Sequence, residues 1–132
     1  MTDYTHINLR RDVVDMAATT GMEGVEARFP TRDLGLEEAA ISYQRLQPGV
    51  RQAFGHRHTS QEEVYVVVEG SGRVKLGDEM VDLAVWDAVR VPAPTWRCFE
   101  AGPDGIAYVA VGAPPMEDPH AGSEMIPGWW SD

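Results

Sequence analysis

The punctuation of this chain constrains its fold more than any other feature. From residue 39 to residue 112, glycine and proline interrupt short stretches rich in β-branched and aromatic residues. Ala39–Leu46 ends at Pro48 and Gly49, Arg51–His58 at Thr59 and Ser60, and Glu63–Val68 at Gly70 and Gly72. Arg73–Leu76 and Glu79–Leu83 flank Gly77 and Asp78, a two-residue loop suited to a hairpin. Ala88–Val91 ends at Pro92 and Pro94, Trp96–Glu100 at the Gly102–Gly105 stretch, and Ile106–Val111 at Gly112 and Pro114. About eight short strands at regular spacing predict an all-β sandwich or closed barrel rather than alternating strand–helix units. Val64–Val68 is apolar on both faces, which predicts an interior strand rather than an edge.

The flanks read differently. Leu9–Ala18 predicts a short helix, with Val13, Val14 and Ala17 on one face and Asn8 as its N-cap. Residues 113–132 are proline-rich and show no periodicity, so they read as a tail. Trp129 and Trp130 end that tail, and two adjacent indoles left in water would expose a large apolar area. They are expected to dock on the barrel or on a second subunit. At 132 residues the chain has the length of one domain. The predicted organisation is a single domain over 1–132, with the core barrel at about 39–112, an N-terminal extension over 1–38 and a C-terminal tail over 113–132.

Charge narrows the function classes. Acidic residues outnumber basic ones 21 to 11, for a net charge of −10. That field repels a phosphate backbone and an anionic bilayer, so neither nucleic acid nor membrane is an expected partner. Cys98 is the only cysteine, which excludes an intrachain disulfide and fits a reducing compartment. The first residues lack a basic cap followed by an apolar run, so no signal peptide is expected. No apolar run approaches the ~20 residues of a membrane helix. A cytoplasmic location is the expectation.

One cluster carries chemistry. His56 and His58 stand two apart on a predicted strand, so both imidazoles leave one face ~7 Å apart. Gln52 and Phe54 precede them on that face. A turn at Thr59–Gln61 returns the chain, and the next strand brings Glu62 or Glu63 beside the pair. Two imidazoles and one carboxylate on neighbouring strands make a three-ligand metal site with open positions. The competing reading is a surface cluster without a metal.

The run from Gly49 through His56, His58, Glu62 and Glu63 to Gly70 resembles the first motif of the cupin superfamily: glycine, five spacers, His-x-His, three or four spacers, Glu, six spacers, glycine. Here six residues separate Gly49 from His56. Counting back from Gly70, the resemblance selects Glu63 over Glu62 as the carboxylate ligand. A second motif has its counterpart in Trp86 to Arg97. Pro92 matches, Trp86 and Pro94 replace the two glycines, and Arg97 stands where the superfamily has a fourth ligand, a histidine. The resemblance covers roughly residues 39–112. It implies a double-stranded β-helix (jelly-roll) barrel, a homodimer, a divalent metal (Fe, Mn, Ni or Zn) at His56, His58 and Glu63, and a small-molecule ligand. Activities in such small cupins include oxygenase, isomerase and decarboxylase types, and others only bind a ligand.

Arginine stays protonated and cannot ligate a metal. A divalent ion ~5 Å from its guanidinium would be repelled by roughly 7 kcal/mol at an effective dielectric of 20, partly offset by nearby carboxylates. Three arrangements follow. Arg97 holds an anionic substrate bound to the metal; or it swings away from the metal; or the metal is absent and Arg97 pairs with Glu63. The candidate pocket residues are Arg97, Gln52, Phe54, Tyr65 and Trp96. Trp86 is a further candidate for roofing the barrel mouth. Cys98 is expected to be a small buried hydrophobe, and His6 and His120 to be surface residues. Glu37, Glu38, Glu117 and Asp118 are expected to be solvated.

Overall fold

Two long strands carry the fold of this chain. They were seen in a computed structural model, which describes residues 1–116 and 122–132. Strand β4 (Glu62–Leu76) and strand β7 (Arg97–Ala113) lie antiparallel along most of their length. Around them stand β1 (Val25–Arg28), β2 (Ala40–Leu46), β3 (Phe54–His58), β5 (Glu79–Leu83), β6 (Ala88–Val91) and β8 (Ser123–Pro127). One path through the sheet runs β1-β2-β7-β3-β8, while β4 pairs with β5, β6 and β7. The result is an all-β barrel, a curled sheet in which β4 is paired on both edges, as its two apolar faces predict.

Each long strand joins two stretches that glycines divide in the sequence. Gly70 and Gly72 do not end a strand; they form irregularities in the β4–β7 ladder between Val67 and Glu69 and between Gly70 and Gly72. A Cβ on Gly70 would meet the carbonyl oxygen of Gly105 at 2.0 Å, and Gly70 has φ of 71°. The glycines therefore let two backbones touch while the strand bends and continues. Trp96–Glu100 and Ile106–Val111 are likewise joined in β7.

Four further expectations need correction. The predicted helix over Leu9–Ala18 shrinks to α1 (Met16–Thr19), capped by Asp15 instead of Asn8. Asp15 accepts from the Ala17 and Ala27 backbone N–H groups, and Asn8 accepts from those of Arg10 and Arg11 in a separate turn. Those side-chain bonds compete with a longer helix, which β-branched Val13 and Val14 also disfavour. A second short helix, α2 (Thr31–Leu34), closes on Gly35. The strand expected over Arg51–His58 starts at Phe54, with Arg51 bridging to Glu100. Neither flank stands outside the sheet: the N-terminal extension adds β1 to β2, and the tail adds β8 to β3.

Leu46, Tyr65, Val67, Val74, Phe99, Ile106 and Tyr108 fill the interior. Tyr65, Phe99 and Tyr108 form an aromatic group with ring centroids 4.3 to 5.7 Å apart. Truncation of a buried aromatic such as Phe99 to alanine costs about 3–5 kcal/mol, so this group fixes the spacing of the strands above it. Trp130 is buried against the same molecule, with Arg51 and Arg73 over its ring. Cys98 is buried, and Glu37, Glu38 and His6 are exposed, as expected. His120, Glu117 and Asp118 lie outside the described residues.

Candidate functional site

The strand period does what the spacing predicts. His56 and His58 leave the same face of β3, and their rings meet edge to face at 5.1 Å. Glu63, at the start of β4, turns its carboxylate toward them. Glu62 faces outward instead and pairs with Arg90 at 3.2 Å. His58 Nε2 lies 2.9 Å and His56 Nε2 3.8 Å from Glu63 Oε1. The three ligand atoms all lie within 4.8 Å of one another.

Two more side chains reach the same oxygen. The Tyr65 hydroxyl donates to Glu63 Oε1 at 2.6 Å, and Arg97 Nη1 donates to it at 3.1 Å. Arg97 is fully buried, and its Nη2 donates to the Pro92 carbonyl at 2.8 Å. The turn that carries Pro92 thus anchors the guanidinium, a contact no residue pattern announces. Register explains the convergence: His56 pairs with Arg97 across β3 and β7, and Glu63 with Gly112 and Val91 across β4.

The remaining candidates divide. Phe54 stands two residues before His56 on β3, half-buried. Gln52 lies deeper, bonded to Gln44 and the Tyr108 hydroxyl, and its side-chain oxygen accepts from the Phe99 N–H. Trp96 is not brought to the cluster: it stacks on Trp129 with centroids 6.1 Å apart. Trp86 lies between β5 and β6, 72% exposed, in the left-handed region at φ 73°. Its backbone keeps the conformation for which the resemblance expects glycine.

The profile of the cupin domain matches residues 42–112, more than half of the 132-residue chain. This chain belongs to the cupin family. Solved structures agree on the fold. A cupin protein from Bacteroides fragilis is 21% identical, with a TM-score of 0.71 over 89% of this chain and 90% of that one. KdgF from Halomonas sp. is 19% identical, with a TM-score of 0.69 over 89% of this chain and 98% of that one. Oxalate decarboxylase from Bacillus subtilis is 24% identical, with a TM-score of 0.68; the match covers 78% of this cupin but 28% of that chain. No curated protein matches the chain. No helix among the described residues is long and apolar enough to cross a membrane.

The electrostatics of this cupin's cluster follow from its burial. Burial raises the Glu63 pKa, but the imidazoles of His56 and His58 and the Tyr65 hydroxyl outweigh it and hold the carboxyl well below its ordinary range. Burial lowers the His56 pKa, and the Arg97 cation lowers it further against the pull of Glu63. Burial and the Glu63 carboxylate push Tyr65 well above its ordinary value. At neutral pH the cluster therefore holds an anionic carboxylate, a neutral His56 and a protonated phenol.

The donor set suits a divalent ion. Two ligands each ~2.1 Å from one ion are at most ~4.2 Å apart; both imidazole–carboxylate separations satisfy that limit, and the imidazole pair, within 4.8 Å, needs to close by no more than about 0.6 Å to share an ion. Arg97 and two buried atoms without partners, His58 Nδ1 and Arg97 Nε, mark the cluster as incomplete in itself.

Proposed function

We propose that this cupin binds a divalent metal through His56, His58 and Glu63 and takes a small polar or anionic organic molecule, which Arg97 orients. The observation that carries this reading is the meeting of three ligand atoms within 4.8 Å beside a fully buried guanidinium. The metal is Fe, Mn, Ni or Zn, all of which accept imidazole and carboxylate donors. When bound, such an ion supplies Lewis-acid or oxygen chemistry. The chain's own residues do the rest. Arg97 offers a fixed cation to a carboxylate or phosphate, Tyr65 holds Glu63 in place, and Phe54 bounds the approach beside His56. Gln52 and Trp96 contribute through the frame behind these groups. Reaction types consistent with this set are oxygenase, isomerase and decarboxylase. One domain over the whole chain, a homodimer and a cytoplasmic setting complete the proposal; nucleic acid and membrane are not among its partners.

A second reading is favoured by the 3.1 Å bond between Arg97 and Glu63. In it the barrel binds its small molecule without metal, and the ion pair is the resting arrangement. Elemental analysis after incubation with Fe(II), Mn(II), Ni(II) and Zn(II) separates the two. Near-stoichiometric metal that disappears in a His56→Ala, His58→Ala double variant supports the first. A folded protein that retains none of the four ions overturns it in favour of the second.

A further inference from the structure

The strand that carries both imidazoles is tied to the barrel near its two ends, where the His58 N–H donates to the Ala93 carbonyl at 2.8 Å and the Gln52 N–H, just before the strand, to that of Phe99 at 2.9 Å. Among the described residues β3 shares one registered pair with β7, His56 with Arg97. It shares five with β8, from Phe54–Pro127 to His58–Ser123. The C-terminal strand therefore secures the edge of the site.

Beyond β8 the chain reverses. Gly128, at φ 67°, donates its N–H to the Ala53 carbonyl at 2.9 Å, and Trp129 folds back over the outer face. There the indole meets both strands of the site. A Cβ on Gly55 would lie 2.6 Å from Trp129 Cε3, so the ring occupies the space a side chain would need. Gly55 immediately precedes His56, and its lack of a side chain is what admits the ring. On the other side Trp129 stacks on Trp96, which immediately precedes Arg97, at an interplanar angle of 28°. Cations complete the row: Arg57 lies 4.9 Å from the Trp96 ring centroid and Lys75 Nζ 4.6 Å from that of Trp129. Successive strand residues face opposite ways, so this row backs the two residues whose side chains face inward at the site.

We propose that Trp129 is a positioning residue: wedged behind Gly55 and Trp96, it sets the separation of His56 from Arg97 across the single β3–β7 pair. This extends the metal-binding reading, since that separation decides how near the cation stands to the ligands, and it is tested with and without metal. In the metal-free protein, the ring resonances of His56 and the guanidinium Nε–H resonance of Arg97 are followed by NMR. Trp129→Ala is expected to shift or broaden both while the methyl signals of Val74 and Leu83 stay in place, and Trp129→Phe is expected to restore them. In a Zn(II) competition titration, Trp129→Ala is expected to weaken binding by about tenfold or more, the usual scale for loss of a supporting residue.

Should Trp129→Ala fail to fold, Gly55→Ala makes the same displacement from the other side. It is expected to move the same resonances in the native background, because its methyl would stand 2.6–2.9 Å from Cε3, Cδ2 and Cγ of the Trp129 ring. Unmoved His56 and Arg97 resonances in these variants overturn the proposal. If they move as stated but the native protein binds no Zn(II), the metal reading falls at this ion and the positioning role stands.

Discussion

Two polar networks share the interior of this barrel, and they differ in kind. The one around Tyr108 is neutral. The Gln52 side-chain amide donates to Gln44 and to Tyr108, the Tyr108 hydroxyl donates to Gln44, and Gln52 accepts from the Phe99 N–H. None of its buried side-chain atoms lacks a partner. The other network is ionic and crowded onto one oxygen. Glu63 Oε1 receives His58, Tyr65 and Arg97, with His56 nearby, while His58 Nδ1 and Arg97 Nε have no partner. An unpaired buried polar atom costs about 1–3 kcal/mol. A closed neutral network is what a fold keeps for its own stability. A charged one with atoms to spare is the arrangement expected where a ligand completes the set, which is the reading proposed for this cluster.

The largest effect should come from breaking the ionic network at its cation. Arg97→Gln leaves the buried Glu63 carboxylate without its guanidinium. The expected loss is about 3–5 kcal/mol in urea unfolding, the scale for removing one partner of a buried pair. The same variant removes a positive charge beside the proposed metal site, so its Zn(II) affinity should rise by about tenfold or more. Lower stability with higher metal affinity would separate the two roles of Arg97. Weaker metal binding would mean that Arg97 supports the ion instead of competing with it.

A smaller effect belongs to Tyr65, whose ring lies in the aromatic group and whose hydroxyl lies in the ionic network. Tyr65→Phe keeps the packing and removes one donor to a carboxylate, for an expected loss of about 1.5–3 kcal/mol. Losing this orienting bond should also weaken Zn(II) binding by about 10–100-fold. Gln52→Ala acts on the neutral network alone. It should cost about 1–2 kcal/mol by unpairing the Phe99 N–H and removing one of the two hydrogen bonds of the Tyr108 hydroxyl, which keeps Gln44, and leave metal binding unchanged. A metal effect from Gln52 equal to that of Tyr65 would dissolve the distinction between the networks.

How much of this was legible depends on distance along the chain. His56, His58 and Glu63 were legible because a period of two and a short turn fix where their side chains go. Arg97 was legible as a misplaced cation because Pro92 keeps the spacing of its motif. The two long strands were not, since a glycine that bends a strand through a bulge looks the same in sequence as one that ends it. Gly70 shows its role only against the Gly105 carbonyl, 35 positions away in the chain. β1 and β8 were also missed. Val25–Arg28 is too short to show alternation, and Ser123–Pro127 ends in a proline that argues against a central strand but suits an edge. Trp129 announces an aromatic that must be covered, but its partner is a gap left by Gly55, and no local pattern marks a gap.

The smallest effect lies outside both networks, at Trp86. Its left-handed backbone, at φ 73°, costs a side-chain-bearing residue about 1–2 kcal/mol relative to glycine. Its ring is 72% exposed, so little packing is lost if it is removed. Glycine relieves the strain but loses about 0.5–1 kcal/mol through the greater freedom of the unfolded chain. The strain is the larger quantity, so Trp86→Gly should stabilise the protein by about 0.5–1 kcal/mol in urea unfolding. Its Zn(II) affinity should not change, because the Trp86 N–H bonds the Val67 carbonyl, four residues along β4 from Glu63. A loss of stability would show that the exposed indole makes a contact whose worth exceeds the strain of its backbone. A change in metal affinity would tie this turn to the ionic network after all.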